Sequence, residues 1–222
     1  MIPKKIHYCW FGRGEFSPLI KECMKTWEEQ LPDYEIKVWN EDNIPLDNEY
    51  VNKMLKEKKY AFASDYIRFY ALYTEGGIYL DTDMEVVQSF NDLLNQKCFL
   101  GYESKEYINA ALIGGVQKFY FFEMIMKAIE LNYIETREVE TIPKIITKVM
   151  KEKNLFNKDI TLYSEEYFYP YNPYDKSKKV SILMSKDITE NTYAIHHWNL
   201  SWFIPKTFSQ LVLGKLKKLF KK

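Results

Sequence analysis

Gly76-Gly77-Ile78-Tyr79-Leu80-Asp81-Thr82-Asp83 is the stretch whose reading decides the fold. Gly77 to Leu80 is a short apolar run behind a two-glycine break, which predicts a buried strand. Two carboxylates separated by one residue follow it. Extended backbone sends side chains i and i+2 to one face, so Asp81 and Asp83 are expected to converge at the strand's frayed end. Hard oxygen donors converging there suit a divalent cation that keeps positions open for phosphate oxygens. An isolated Asp-x-Asp triplet is most often a solvated turn. The apolar strand feeding into this one, and the helix before that, give it weight.

Working backwards, Ala61 to Thr74 predicts a helix closed by Glu75-Gly76-Gly77. Asp65 and Arg68 lie three apart and share one face of it. On a solvated surface such a pair is worth little. This helix has few polar residues, which favours a functional pair. Asn48 to Lys59 predicts a charged amphipathic helix. Near the start, Lys5 to Phe11 and Glu35 to Trp39 read as strands around a helix that opens at Ser17-Pro18 and stops at Pro32. Strand, helix, strand in that order predicts a parallel sheet with a right-handed crossover. Gly12-Arg13-Gly14 is a turn where backbone can approach a ligand closely.

Working forwards, Met84 to Val87 is expected to continue extended, with a short turn or helix at Phe90 to Leu94. Cys98 to Tyr102 and Ile108 to Ile113 read as strands. Phe119 to Leu131 and Glu138 to Lys151 read as helices, with Pro143 tolerable only near the start of the second. Tyr163 to Tyr174 is expected to be an irregular packed loop lining an acceptor site. Lys176, Lys178 and Lys179 read as a solvated turn. Tyr193 to Trp202 holds His196 and His197 beside two tryptophans, and one of the histidines is a candidate metal or phosphate contact. Phe208 to Lys222 carries an apolar stripe with Lys215, Lys217, Lys218, Lys221 and Lys222 around it, which predicts a basic amphipathic helix on a membrane surface. The expected organisation is one domain over 1–205 and a tail over 206–222.

With 222 residues the chain can bury one substantial core. Zero formal net charge argues against nucleic acid as a partner. Aromatics at 17% are abundant, so many are expected in the core or lining a pocket, since amphipathic rings suit half-buried sites and sugar or base faces. Cys9, Cys23 and Cys98 are an odd set without C-x-x-C spacing, which suggests a reducing compartment and no structural zinc. Met1-Ile2-Pro3-Lys4-Lys5 leads into no long apolar run, so neither a signal peptide nor a membrane span is expected, and the expected location is cytoplasmic.

Three blocks, Ile6-His7-Tyr8-Cys9-Trp10-Phe11-Gly12, Ala63-Ser64-Asp65-Tyr66-Ile67-Arg68 and Gly76 to Asp83, resemble glycosyltransferase family 32 in order and spacing. His196-His197-Trp198 with Ser201-Trp202 resembles that family's closing motif, and the glucosylating domains of large clostridial toxins look like distant relatives. The resemblance covers roughly the first half of the chain. It implies an α/β fold of GT-A type, a Rossmann-like mixed sheet flanked by helices. It implies retaining transfer of a hexose from a nucleotide sugar, with Mn²⁺ or Mg²⁺. By this resemblance Trp10 would stack on the base and Cys9 would lend it backbone contacts. Asp65 and Arg68 would hold donor sugar hydroxyls and diphosphate, and Asn109 would lie near the donor sugar. Asp81 and Asp83 would bind ribose and metal, Asp83 more directly, with His197 a further metal ligand. Ser201 and Trp202 would close on the diphosphate. The catalytic set is then Asp65, Arg68 and Asp83.

The resemblance further implies a UDP-hexose donor, UDP-galactose as the first choice. It implies a saccharide or lipid-linked oligosaccharide acceptor, in capsule or exopolysaccharide synthesis. The basic tail would bring the protein to the inner face of the cell membrane. A metal-dependent phosphodiesterase or nuclease could use the same aspartates with a histidine and two metals. A non-catalytic sugar-nucleotide binder is the third reading. Neutral charge and Trp10 speak against the first, the intact Asp65, Arg68, Asp81 and Asp83 set against the second.

Overall fold

The computed structural model describes residues 1–45, 47–156, 159–175 and 182–199. Strand β1 (Lys5–Cys9) leads to helix α1 (Pro18–Gln30) and back to strand β2 (Glu35–Trp39). The strands pair in parallel from Lys5 opposite Glu35 to Cys9 opposite Trp39. Ser17 caps α1, its hydroxyl accepting the Ile20 N–H, with Pro18 in the first turn, where its missing N–H costs nothing. Asn48 does the same for α2 (Glu49–Lys56) by accepting from Val51 N–H.

Helix α3 (Tyr60–Glu75) ends at Gly76, whose φ of 66° lets the chain reverse into strand β3 (Gly77–Leu80). Strand β3 lies between β1, parallel to it, and β6 (Ile108–Gly115), antiparallel. Strand β5 (Cys98–Tyr102) pairs with β6, and β7 (Ile160–Tyr163) closes the far edge. The six-stranded order is β2-β1-β3-β6-β5-β7. The sheet is mixed, mostly parallel and flanked by helices, as the resemblance implied.

Alternation along β3 divides the core. Ile78 and Leu80 face a layer with Trp27, Leu31, Phe90 and Phe168. Tyr79 faces the opposite layer, where α2, α3, α4 (Tyr120–Thr136) and α5 (Ile142–Glu152) pack. Cys9, Cys23 and Cys98 are buried free thiols. Because β2 lies on one side of β1 and β3 on the other, the chain order reverses at β1. In open α/β sheets, ligands bind beyond the carboxyl ends of the strands at such a reversal.

Four local expectations need correction. Strand β1 stops at Cys9, two residues before Phe11, and α4 runs on to Thr136. Helix α5 starts at Ile142, not Glu138, because Pro143 fits only within its first turn. Tyr163 to Tyr174 is less irregular than expected: it includes the end of β7 and a short helix α6 (Glu165–Phe168). Met84 to Val87 is extended as expected, but outside β3. A turn intervenes, and β4 (Met84–Val86) pairs antiparallel with β8 (Ala194–His196) in a separate two-stranded sheet. The C-terminal amphipathic helix lies outside the described residues, as do Lys176, Lys178 and Lys179.

Candidate functional site

Strand β3 ends at Leu80, and Asp81 N–H donates to the Ala111 carbonyl at 2.7 Å. Met84 N–H then donates back to the Asp81 carbonyl at 3.0 Å. The two carboxylates are therefore brought together by a tight turn and not by extended backbone. The convergence is as expected; its geometric cause is different. Tyr79, two residues before Asp81, does obey the extended rule, and its hydroxyl donates to Asp81 Oδ1 at 2.9 Å.

Arg68 rises from α3 into this corner. It is 4% exposed. Its guanidinium lies 2.7 Å from Asp65 Oδ1 and 3.3 Å from Asp81 Oδ1 and donates to the Ala110 carbonyl at 2.8 Å. It also covers the Tyr79 ring at 4.6 Å. Burial opposes its charge, but Asp81, Tyr79 and Asp65 more than offset this and raise its pKa. Among the described residues, the guanidinium's partners are thus the two aspartates, the Tyr79 ring and backbone carbonyls. Burial pushes the Asp65 carboxyl up to about 7, with Arg68 opposing and Asp81 adding to the rise.

Strand β8 supplies the third side. Its register sets His196 opposite Met84, next to Asp83. His196 Nε2 lies 3.3 Å from Asp83 Oδ1. The ligand atoms of Asp81, Asp83 and His196 all fall within 4.8 Å of one another. His197, the ligand expected by resemblance, is not part of this group. Successive side chains point to opposite faces, and His197 Nε2 meets Glu85 Oε2 at 2.7 Å instead. No sequence signal separates the two histidines; only pairing with a strand over a hundred residues away does.

Burial is the largest influence on all three groups. It raises the Asp81 carboxyl, with Asp83 adding and Arg68 opposing. At Asp83 burial is outweighed by His196 and by the Asn199 N–H, which donates to Oδ2 at 2.7 Å, so the carboxyl is lowered. Burial would lower His196, yet Asp83 and Asp81 raise it. Two carboxylates crowded with one imidazole suit a divalent cation such as Mn²⁺ or Mg²⁺, and a cation there would relieve the repulsion between the aspartates. The residues present fit a metal.

The remaining expected residues lie around this corner or outside the description. Trp10, half-buried after β1, donates its indole N–H to the Gly14 carbonyl at 2.8 Å and packs on Phe16 at 4.5 Å. Gly12 has φ 86°, and a Cβ there would lie 2.5 Å from the Tyr60 ring, so its close approach is to protein. Burial pushes the Cys9 thiol up to about 12, which leaves it neutral. Asn109 is buried on β6, its amide donating to Glu103 Oε2 at 2.5 Å and its oxygen accepting from Ala110 and Ala111 N–H. Ser201 and Trp202 lie outside the described residues. Tyr79 and Glu103 were not singled out by sequence reasoning as site residues, and His196 was a candidate only as one of a pair with His197.

A model of the "Glycosyltransferase sugar-binding region containing DXD motif" matches residues 17–100. An uncharacterised glycosyltransferase of Acanthamoeba polyphaga mimivirus is 30% identical over 193 residues, spanning 79% of this chain and 76% of the relative. The chain belongs to the DXD-containing glycosyltransferases. Mouse lactosylceramide 4-alpha-galactosyltransferase is 29% identical over 147 residues, which are 61% of this chain and 40% of that enzyme. This glycosyltransferase thus spans less than half the length of that relative. Inositol phosphoceramide mannosyltransferase 2 of Schizosaccharomyces pombe is 28% identical over 138 residues, 60% of this chain and 39% of the relative. Among solved structures, galactosyltransferase LgtC shares the fold with a TM-score of 0.54 at 13% identity, covering 96% of this chain and 94% of its own. The glycosyltransferase PaToxG does so with a TM-score of 0.56 at 19% identity, over 68% and 69% of the two chains. The fold is GT-A.

Proposed function

We propose that this glycosyltransferase moves a hexose from a nucleotide sugar to a saccharide acceptor in a metal-dependent reaction with retention at the anomeric carbon. The observation that carries the reading is the meeting of Asp81, Asp83 and His196 at the carboxyl end of β3. These three would hold the metal. When bound, it supplies positive charge to the leaving diphosphate.

The chain's own residues do the rest. Arg68 adds a buried positive charge and, with the Tyr79 hydroxyl, fixes Asp81. Asp65 is assigned the donor sugar hydroxyls, Trp10 and the Cys9 backbone the base, and Ser201 and Trp202 the diphosphate. Glu103, a half-buried carboxylate near this corner, is already engaged by the Asn109 amide and is not assigned as a dedicated nucleophile. This supports same-face attack by the acceptor hydroxyl. The acceptor O–C1 bond forms, the C1–O(phosphate) bond breaks, and the leaving phosphate takes the proton.

UDP-galactose is the first donor choice, in keeping with relatives named as galactosyltransferases. Two relatives are named for ceramide-borne acceptors, which favours a lipid-linked saccharide. The capsular or exopolysaccharide setting, and a protein held at the inner membrane face, belong to the same proposal. Among the described residues no helix is long and apolar enough to cross a membrane.

The test incubates the protein and Mn²⁺ with UDP-galactose, UDP-glucose, UDP-N-acetylglucosamine and GDP-mannose, with and without a lactosyl acceptor. UDP release and an α-linked product by NMR are expected from a UDP-hexose. Asp83→Ala should abolish metal-dependent release. Silence with every donor, a β-linked product, or undiminished release by Asp83→Ala would each overturn the corresponding element.

A further inference from the structure

Trp198 combines two features that the assignments above do not use. Its φ is 54°, a left-handed conformation that is an outlier for a bulky side chain. Its indole packs against the His196 imidazole with ring centroids 4.3 Å apart. Such strain persists only where surrounding contacts over-determine it. Here the contacts are visible: the indole N–H donates to the Tyr171 carbonyl at 2.9 Å, and Tyr169 and Tyr174 pack on the ring.

The backbone bend has a direct consequence. It lets the N–H groups on either side of Trp198 reach one residue. His197 N–H donates to the Asp83 carbonyl at 3.0 Å, and Asn199 N–H donates to Asp83 Oδ2 at 2.7 Å. The ring has a second consequence. Histidines that hold metals ordinarily donate their other ring nitrogen to a partner, which fixes the ring plane. His196 Nδ1 is buried and has no hydrogen-bond partner among the described residues. The indole, tilted 43° to the imidazole, is the nearer of two rings that pack on it, the other being Tyr169 edge-on at 5.9 Å.

We infer that Trp198 is a positioning residue that presets two of the three metal ligands, the His196 ring by packing and the Asp83 carboxylate by the backbone turn. This rests on the metal-site reading of Asp81, Asp83 and His196. The readout is Mn²⁺ affinity of the full chain without nucleotide, by titration calorimetry, on W198F, W198G and D83A.

Glycine accepts the left-handed backbone freely, so W198G keeps the turn and removes the ring. It is expected to bind Mn²⁺ about 10–100-fold more weakly, the range for lost outer-shell partners. W198F retains a ring face and is expected to stay within about threefold, on the same scale. Should W198G not fold, W198L removes the flat face while keeping bulk and is expected to weaken binding likewise. Unchanged Mn²⁺ affinity in the folded W198G or W198L protein, even with lower thermal stability, would make Trp198 merely structural and overturn the inference. D83A separates the two levels. If it binds Mn²⁺ as the parent does, the metal-site reading itself fails. If D83A loses Mn²⁺ and the Trp198 variants keep it, only the Trp198 inference falls.

Discussion

Arg68 carries its charge where almost no water reaches, and Asp65 and Asp81 are what make that tolerable. Removing one member of such a group leaves the others buried without compensation. Arg68→Met is therefore expected to destabilise the fold by about 3–5 kcal/mol in urea unfolding. Adding Asp65→Asn should recover part of the loss, so the double-mutant cycle should show coupling. Strict additivity would sink this account. His7 gives a pH prediction. It accepts from the Trp39 indole N–H at 3.0 Å and donates to the Gly76 carbonyl at 2.8 Å, a pattern that needs the neutral ring. Burial pulls its pKa from 6.5 to about 4, against the Gly76 carbonyl. Between those values the unfolded chain binds a proton that the native one does not, so this contribution is present above pH 6.5 and is lost as pH falls through 4. It amounts to at most about 3 kcal/mol. Asp65, raised to about 7, slopes the opposite way. The measurement is thus the difference between parent and His7→Gln stability curves, which should narrow as pH drops from 7 to 4. A constant gap would mean that His7 titrates normally.

Strand β3 shows what an element demands of its first residue. Gly77 has φ 108°, and a Cβ there would lie 2.6 Å from the Lys5 carbonyl and 3.1 Å from His7 Nε2. Gly77→Ala must either strain the backbone or push β1 and β3 apart, and an expected cost of about 1–3 kcal/mol follows. A melting curve that overlays the parent would refute it. Elements of this kind were legible in the sequence, because their signals are local. The two glycines, the Ser17 and Asn48 caps and the alternation of Glu35 to Trp39 each act within a few residues. The β4–β8 pair was not legible. Its strands are three residues long and lie a hundred residues apart, and Glu85 opposite Ile195 shows no alternation that predicts pairing. The choice of His196 over His197 depends on that pairing, so the same non-local contact hid the third ligand. The turn at Asp81–Met84 was hidden for a different reason: Asp-Thr-Asp carries no glycine or proline to announce it.

At the scale of the molecule, a single corner draws on α3, the β3 turn, β6 and β8, which is why no one stretch of sequence displays it whole. The strand order reverses at β1, and the cluster of Asp81, Asp83 and His196 lies just past the carboxyl end of β3. How the protein would meet the lipid-linked acceptor proposed above is the remaining question at this scale, and the tail over 206–222 is our proposed answer. Its lysines at 215, 217, 218, 221 and 222 flank an apolar stripe. Near an anionic surface each contributes about 1 kcal/mol, added to the burial of the apolar stripe. Truncation after Lys206 should abolish co-sedimentation with vesicles containing phosphatidylserine while leaving UDP release in solution intact. Binding of the full chain should fall as salt rises, because the attraction is screened within a Debye length. Full retention by the truncated protein would place the membrane contact elsewhere. Loss of UDP release on truncation would show instead that the tail serves the donor site.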